Sequence, residues 1–215
     1  AVSAGVSHSL ALTAGGAVWS WGDGDDGQLG HGYHWSKPLP KKVVALAGQR
    51  VVAVSAGGWH SLALTADGAI WSWGSGAYGR LGHGDAQRQL LPKKIETLAG
   101  WRVVAVSAGG NHSLAVTADG AVWSWGGGGW GRLGHGDAQR QLLPKKIAAL
   151  AGWRVVAVSA GGNHSLAVTA DGAVWSWGSG AYNHSLAVTV WSWGVGVSGR
   201  LGHGDTQRQL LPKKI

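Results

Sequence analysis

The chain has no cysteine, no methionine and no phenylalanine. Without cysteine, neither disulfides nor thiolate metal sites can staple the fold. Charged residues make up only 13% of the sequence, which argues against long solvated helices. No apolar run approaches the ~20 residues that a membrane-crossing helix needs. No charged-then-apolar leader with a cleavage site is visible, so secretion is not indicated and the compartment stays open. Prolines number five and follow no triplet period. The lack of methionine and the opening at Ala1-Val2-Ser3 lead us to expect a partial or consensus-like text.

What is present is repetition. Val51 to Arg102 and Val103 to Arg154 differ at eight of 52 positions. The same text restarts at Val155, and a more divergent copy runs from Ala1 to Arg50. A fixed period near 50 residues signals a repeat architecture, in which each unit buries its apolar face against the next. The 39 glycines sit at fixed places in each copy and read as turns, not as linker.

The second copy predicts four strands. Val51 to Ser55 is short, β-branched and apolar; His60 to Thr65 follows a Gly-Gly break. Asp67-Gly68 between apolar runs is a hairpin signal, because the tight turn needs positive φ. Ala69 to Trp73 is the third strand, and a glycine-rich loop runs from Gly74 to Gln89. Leu91 to Ile95 contains Pro92 and is therefore placed at a sheet edge. Four short antiparallel strands per repeat make a β-propeller blade. The Trp-Ser-Trp pairs supply packing between blades. The fold class is all-β, a single propeller domain over 1–215, with copies at 1–50, 51–102, 103–154, 155–182 and 183–215. At 182/183 the text skips 32 residues of the unit, and at 189/190 it skips four. The second skip removes the hairpin turn, so both are expected to be missing segments.

Four motifs recur in register. They are Ser-Ala-Gly-Gly-Asn-His-Ser-Leu-Ala at 107–115 and 159–167, the Ala-Asp-Gly turn, the Trp-Ser-Trp-Gly strand end, and Gly-Arg-Leu-Gly-His-Gly-Asp at 79–85 and 131–137. With these motifs the chain resembles the regulator of chromosome condensation family over nearly its whole length. The resemblance implies a seven-bladed propeller of four-stranded blades, of which this chain would form an arc. It implies a non-enzymatic protein-interaction scaffold, one subunit of a larger assembly. It also brings two alternatives: a chromatin-bound exchange factor for a small GTPase and, third, a UV-B photoreceptor. For the photoreceptor the family motif is Gly-Trp-Arg-His-Thr. Aligned on the histidine, this chain has Gly58, Gly110 and Gly162 at the Trp position, and Trp59 falls on the Arg position.

Candidate sites divide into repeated and unrepeated residues. His8, His60, His112, His164 and His184 follow Gly-Gly-X or its variants, and His31, His83, His135 and His203 sit in Gly-His-Gly. Catalysis needs one convergent site, so recurring His are expected to hydrogen-bond backbone groups instead. No catalytic residue, cofactor or metal site is read. Gly74 to Arg80 lacks the Gly-Lys-Ser/Thr ending of a phosphate loop. The net charge of +8 permits an acidic protein surface or nucleic acid as partner. Lys41-Lys42, Lys93-Lys94, Lys145-Lys146 and Lys213-Lys214, with Arg80, Arg88, Arg132, Arg140, Arg200 and Arg208, would form rings of positive charge. Such rings would neutralise phosphates or simply face solvent. No interleaved exposed aromatics for base stacking are read. Departures from the unit mark specialisation: Tyr33, His34 and Trp35 in the first copy, and Tyr78 against Trp130 at one loop position. With Lys93, Lys94, Lys145 and Lys146 these are the expected interaction residues, and the partner is expected to be a protein.

Overall fold

Turn chemistry decides where each strand reverses. In the second copy, β5 (Val51–Ala56), β6 (His60–Thr65), β7 (Ile70–Gly74) and β8 (Gln89–Lys94) form one antiparallel meander in sequence order. Gly68 takes φ +88°, and its amide bonds the Thr65 carbonyl at 2.9 Å. The Asp67 carboxylate accepts from the Thr65 hydroxyl and from the Ala69 amide, closing the turn that the Asp-Gly pair predicts.

The computed structural model describes residues 1–179 and 209–214. It contains three further sheets of the same order. The first holds β1 (Val2–Ala4), β2 (His8–Leu12), β3 (Val18–Gly22) and β4 (Lys37–Lys42). The third holds β9 (Val103–Ala108), β10 (His112–Thr117), β11 (Val122–Gly126) and β12 (Gln141–Lys146). The fourth holds β13 (Val155–Ala160), β14 (His164–Thr169), β15 (Val174–Gly178) and β16 (Gln209–Lys214). The fourth blade thus takes its outer strand from text that the sequence assigns to a fifth copy. The reason is that 155–182 has no Gln-Leu-Leu-Pro-Lys-Lys of its own, and 209–214 repeats that text. The expected breaks at 182/183 and 189/190, with His184, Arg200, His203 and Arg208, lie outside the described residues.

Successive first strands touch one another, and β5, β9 and β13 also meet the second strand of the preceding blade. First strands therefore line the axis, and the proline-bearing fourth strands lie outermost. Single turns of 3-10 helix at Val44–Leu46, Glu96–Leu98 and Ala148–Leu150 carry the chain to the next blade. No helix among the described residues is long and apolar enough to cross a membrane.

The core lies between blades. Leu62, Leu64, Ile70, Ile95 and Leu98 of the second blade pack on Val103, Ala115 and Trp125 of the third. Equivalent clusters join the first blade to the second around Trp73, and the third to the fourth around Trp177. The second Trp of each of these Trp-Ser-Trp strands is fully buried, as packing material should be. The first is half-buried, and Trp101 and Trp153 pack at a tilt against Trp123 and Trp175, ring centres 5.4 and 5.2 Å apart.

Polar groups bolt the same junctions. Ser113 Oγ of the third blade donates to the Arg80 carbonyl of the second at 2.9 Å. Its lone pair then accepts from His60 Nε2 at 2.8 Å, which fixes the imidazole tautomer. The same carbonyl accepts the Trp125 indole N–H at 2.9 Å. The set repeats as His8, Ser61 and Trp73 on the Gln28 carbonyl, and as His112, Ser165 and Trp177 on the Arg132 carbonyl. The His of Gly-His-Gly works within a blade: His83 Nε2 meets Ser72 Oγ at 2.9 Å, and that hydroxyl donates to the Leu81 carbonyl. Backbone groups were the expected partners of these histidines. They bond serine hydroxyls instead, and the serine passes the bond on to a carbonyl.

Candidate functional site

Each blade sends two kinds of connection to opposite ends. The short first-to-second and long third-to-fourth loops, such as 57–59 and 75–88, share one end. The Asp-Gly turns and the 95–102 connectors share the other. The expected interaction residues are therefore split. Tyr78 and Trp130 lie on the first end, in the long loops. Lys93, Lys94, Lys145 and Lys146 sit at the far end of the outer strands, exposed except for half-buried Lys94.

Tyr33, His34 and Trp35 do come together, beside the outer strand of the first blade. Tyr33 and Trp35 rings lie 6.1 Å apart, and His34 and Trp35 rings 5.2 Å apart. The Lys37 and Lys41 ammonium groups lie 5.1 and 5.0 Å from the Tyr33 ring centre, and Lys41 Nζ donates to its hydroxyl at 2.8 Å. Slight burial works against ionisation of this phenol, but the two lysines outweigh it and lower its pKa. Trp35 is 61% exposed.

Tyr78 and Trp130 are the only non-glycine residues with positive φ among those described, at +62° and +64°. Every other left-handed position among the described residues is glycine. A side chain there costs roughly 1–2 kcal/mol. Both rings are 53% exposed, so burial does not offset that cost. Backbone strain of this kind clusters at functional sites.

Around Tyr78 the structure adds residues that sequence reasoning missed. Trp59 is 40% exposed on the neighbouring loop. The Arg80 guanidinium stands 5.3 Å from the Trp59 ring centre and 5.7 Å from that of Tyr78. Arg80 and Arg132 were expected on a charged ring, yet they are 4% and 6% exposed. Their guanidinium groups lock the loops: Arg132 Nε donates to the Gly129 carbonyl at 2.8 Å and Nη1 to Gly162 of the next blade at 2.9 Å. Burial lowers the pKa of both. The signal for Trp59 was in the text, since Asn111 and Asn163 hold its place in later copies. Exposed Trp35, Trp59, Tyr78, Trp101, Trp130 and Trp153 also correct the expectation of no interleaved exposed aromatics.

Tyr78 forms one wall of a cleft of about 460 Å³ between the second and third blades. Gly127, Gly128 and Gly129 form the facing wall, with Asn111, Arg132, Ala138 and Arg140 completing it. Aromatic walls with a few placed polar groups suit recognition of another molecule.

Comparison with known proteins agrees with this architecture. A model of the RCC1-like domain matches residues 1–184, and one of the regulator of chromosome condensation (RCC1) repeat matches residues 189–215. The human E3 ubiquitin-protein ligase HERC2 is 42% identical over the whole chain, which spans 4% of that protein. The Arabidopsis thaliana ultraviolet-B receptor UVR8 is also 42% identical over the whole chain, which spans 45% of it. In the ligase the matched part is the RCC1-like domain and not the ligase domain. Human WBSCR16 superposes with a TM-score of 0.85 at 29% identity, covering all of this chain and 52% of that one. Yeast RCC1 (Prp20), solved bound to Kap60, gives 0.80 at 25% identity, covering all of this chain and 48% of that one. Propellers of this kind bind protein partners. On the motifs, the blades and these matches, the chain belongs to the regulator of chromosome condensation (RCC1) repeat family.

Proposed function

We propose that this chain is a non-enzymatic scaffold that holds a protein partner on its loop end, as one piece of a larger assembly. The observation that carries the reading is the pair Tyr78 and Trp130, exposed and left-handed where glycine otherwise holds such backbone among the described residues. The bolted junctions make the ring a rigid mount for these loops, so little ordering entropy is lost on binding. The Tyr33–Trp35 cluster and the lysines at Lys93, Lys94, Lys145 and Lys146 supply further contact surface, the lysines for an acidic surface or nucleic acid. The relatives support the reading, because one type of propeller recurs in a ligase and in a light receptor. The test is quantitative capture of binding proteins by the native chain and by a Tyr78→Gly/Trp130→Gly variant. One defined partner is expected with the native chain and lost with the variant. Equal capture by both would overturn the proposal.

A second reading is supported by yeast Prp20, whose structural report names binding to Gsp1p and histones. Under it the chain would speed nucleotide release from a small GTPase, and no acceleration at micromolar protein would dismiss it. The UV-B reading rests on the receptor relative alone and requires a change of oligomeric state under UV-B.

A further inference from the structure

The junction between the first and second blades contains a carboxylate that the next junction lacks. Asp26 holds the place in the first copy that Tyr78 and Trp130 hold in the second and third. Its carboxylate reaches across the junction to Arg88 Nη2 at 3.4 Å. The same charge raises the pKa of buried Arg80, against the larger lowering by burial. One copy later, Arg140 stands where Arg88 stands and Arg132 where Arg80 stands. Neither has a carboxylate partner among the described residues. Arg132 feels Tyr78 and the like charge of Arg80 instead.

The second junction also carries barer loop residues. Ser75 and Ala77 of the second loop become Gly127 and Gly129 in the third. Neither glycine has positive φ, so the backbone does not demand them. A Cβ at Gly127 would meet nothing nearer than 3.3 Å, and one at Gly129 only Arg132 Nη2 at 3.1 Å. Their bareness leaves the cleft of about 460 Å³ between Tyr78 and the loop. Arg140, Asn111 and Tyr78 line this space with the buried Arg132 beside them, and no carboxylate is among its lining residues.

We infer that this cleft binds a carboxylate of an acidic, partly apolar peptide segment, in the manner of Asp26 on Arg88. Arg140 takes the carboxylate, and the field of Arg132 behind it favours negative charge. Tyr78 packs on an adjacent apolar side chain of the segment. Arg fits a carboxylate through its planar fork of donors, which gives direction as well as charge. This deepens the scaffold reading above and rests on it.

The probe is a capped peptide of alternating glutamate and leucine, titrated into the full chain by calorimetry. Its glutamine counterpart, and an uncapped version of that counterpart, separate a side-chain carboxylate from a chain-terminal one. The native chain is expected to bind the capped acidic peptide and neither glutamine peptide; binding of the uncapped glutamine peptide alone would mean a chain-terminal carboxylate site and overturn the inference. Arg140→Gln should weaken that binding by about tenfold or more, as for loss of one partner of a close charge pair. Tyr78→Asp should do the same, since it places an internal carboxylate opposite Arg140 and removes the aromatic wall. Arg88→Gln should leave it unchanged, because Asp26 already occupies Arg88. Equal losses from Arg88→Gln and Arg140→Gln would mean diffuse rim charge and overturn the inference. No binding of the capped acidic peptide would also overturn it. If partner capture still depends on Tyr78 and Trp130 in that case, the scaffold reading stands without the carboxylate site.

Discussion

The first two junctions share one buried plan and diverge on the loop end and at the connector, where Gln49 stands in the place of Trp101. Both bury a Trp, Trp73 or Trp125, whose N–H meets a carbonyl of the preceding loop. Both place a His–Ser pair on that carbonyl. The side chain attached to the carbonyl residue differs: Gln28 in one and Arg80 in the other. Gln28 bonds within its own loop, to Asp23 and the Asp26 amide. Arg80 bonds the Ala77 carbonyl at 2.9 Å and reaches Gly110 of the next blade at 3.4 Å. The first junction is closed by Asp26 on Arg88, whereas the second opens beside Tyr78. Framework is thus held constant by backbone carbonyls, and side chains above it are free to vary.

The largest expected effect falls on what the junctions share. Trp73→Ala and Trp125→Ala should each cost about 4 kcal/mol of unfolding free energy, as for other buried Trp losses. Chemical denaturation would measure both. A difference of more than about 2 kcal/mol between them would break the claim of a common framework, given the usual spread of such losses.

Acid should act on the shared His–Ser bolts. Burial holds His60 and His112 well below the ordinary imidazole value of 6.5, with Arg80 and Arg132 adding to it. Burial holds His8 at about 4, partly opposed by Asp23. His83 and His135 are pushed to about 4 by burial and then by Lys93 and Lys145. These groups are neutral when folded, while their unfolded counterparts take up protons below pH 6.5. Stability is therefore complete above 6.5 and falls as pH drops toward 4. Each fully buried imidazole contributes a slope of up to about 1.4 kcal/mol per pH unit. Denaturation midpoints at pH 7.5 and 5 should show this, and an unchanged midpoint would contradict it.

Smaller effects separate the junctions. Arg80→Gln copies the first junction into the second and loses bonds to two carbonyls. It should cost about 1–2 kcal/mol, since hydrogen bonds from a charged donor outrank neutral ones. Asp26→Asn removes the exposed Arg88 pair and should cost at most about 0.5 kcal/mol, less at high salt. A larger loss would mean that Asp26 supports the loop as well as the pair.

The framework was legible because its residues recur. Asp67-Gly68 announced its turn, Pro92 its edge strand, and Trp73 its packing role. The bolts were hidden, since His60 and Ser113 lie in different copies and no local pattern joins them. The burial of Arg80 was hidden for the same reason: its carbonyl partner, Gly110, belongs to the next blade. Repetition made Arg80 look like a rim charge. Tyr78 and Trp130 were legible as variable loop residues, but their left-handed backbone was not. Trp59 broke the Gly-Gly-Asn pattern in plain view and was weighed only against a photoreceptor motif. The fourth blade shows the remaining limit. Identical outer-strand text can complete any blade, so the sequence alone did not say which one 209–214 would join.

The most direct test of the loop surface pairs stability with binding in one Tyr78→Gly/Trp130→Gly protein. Glycine relieves the left-handed strain and gives back part of that gain as unfolded-state entropy, leaving a rise of about 0.5 kcal/mol per site. If these aromatics serve a partner, the variant should unfold at an equal or higher temperature while losing the partner that the native chain captures. A variant that is destabilised, or that keeps its partner, would contradict the assignment of this surface.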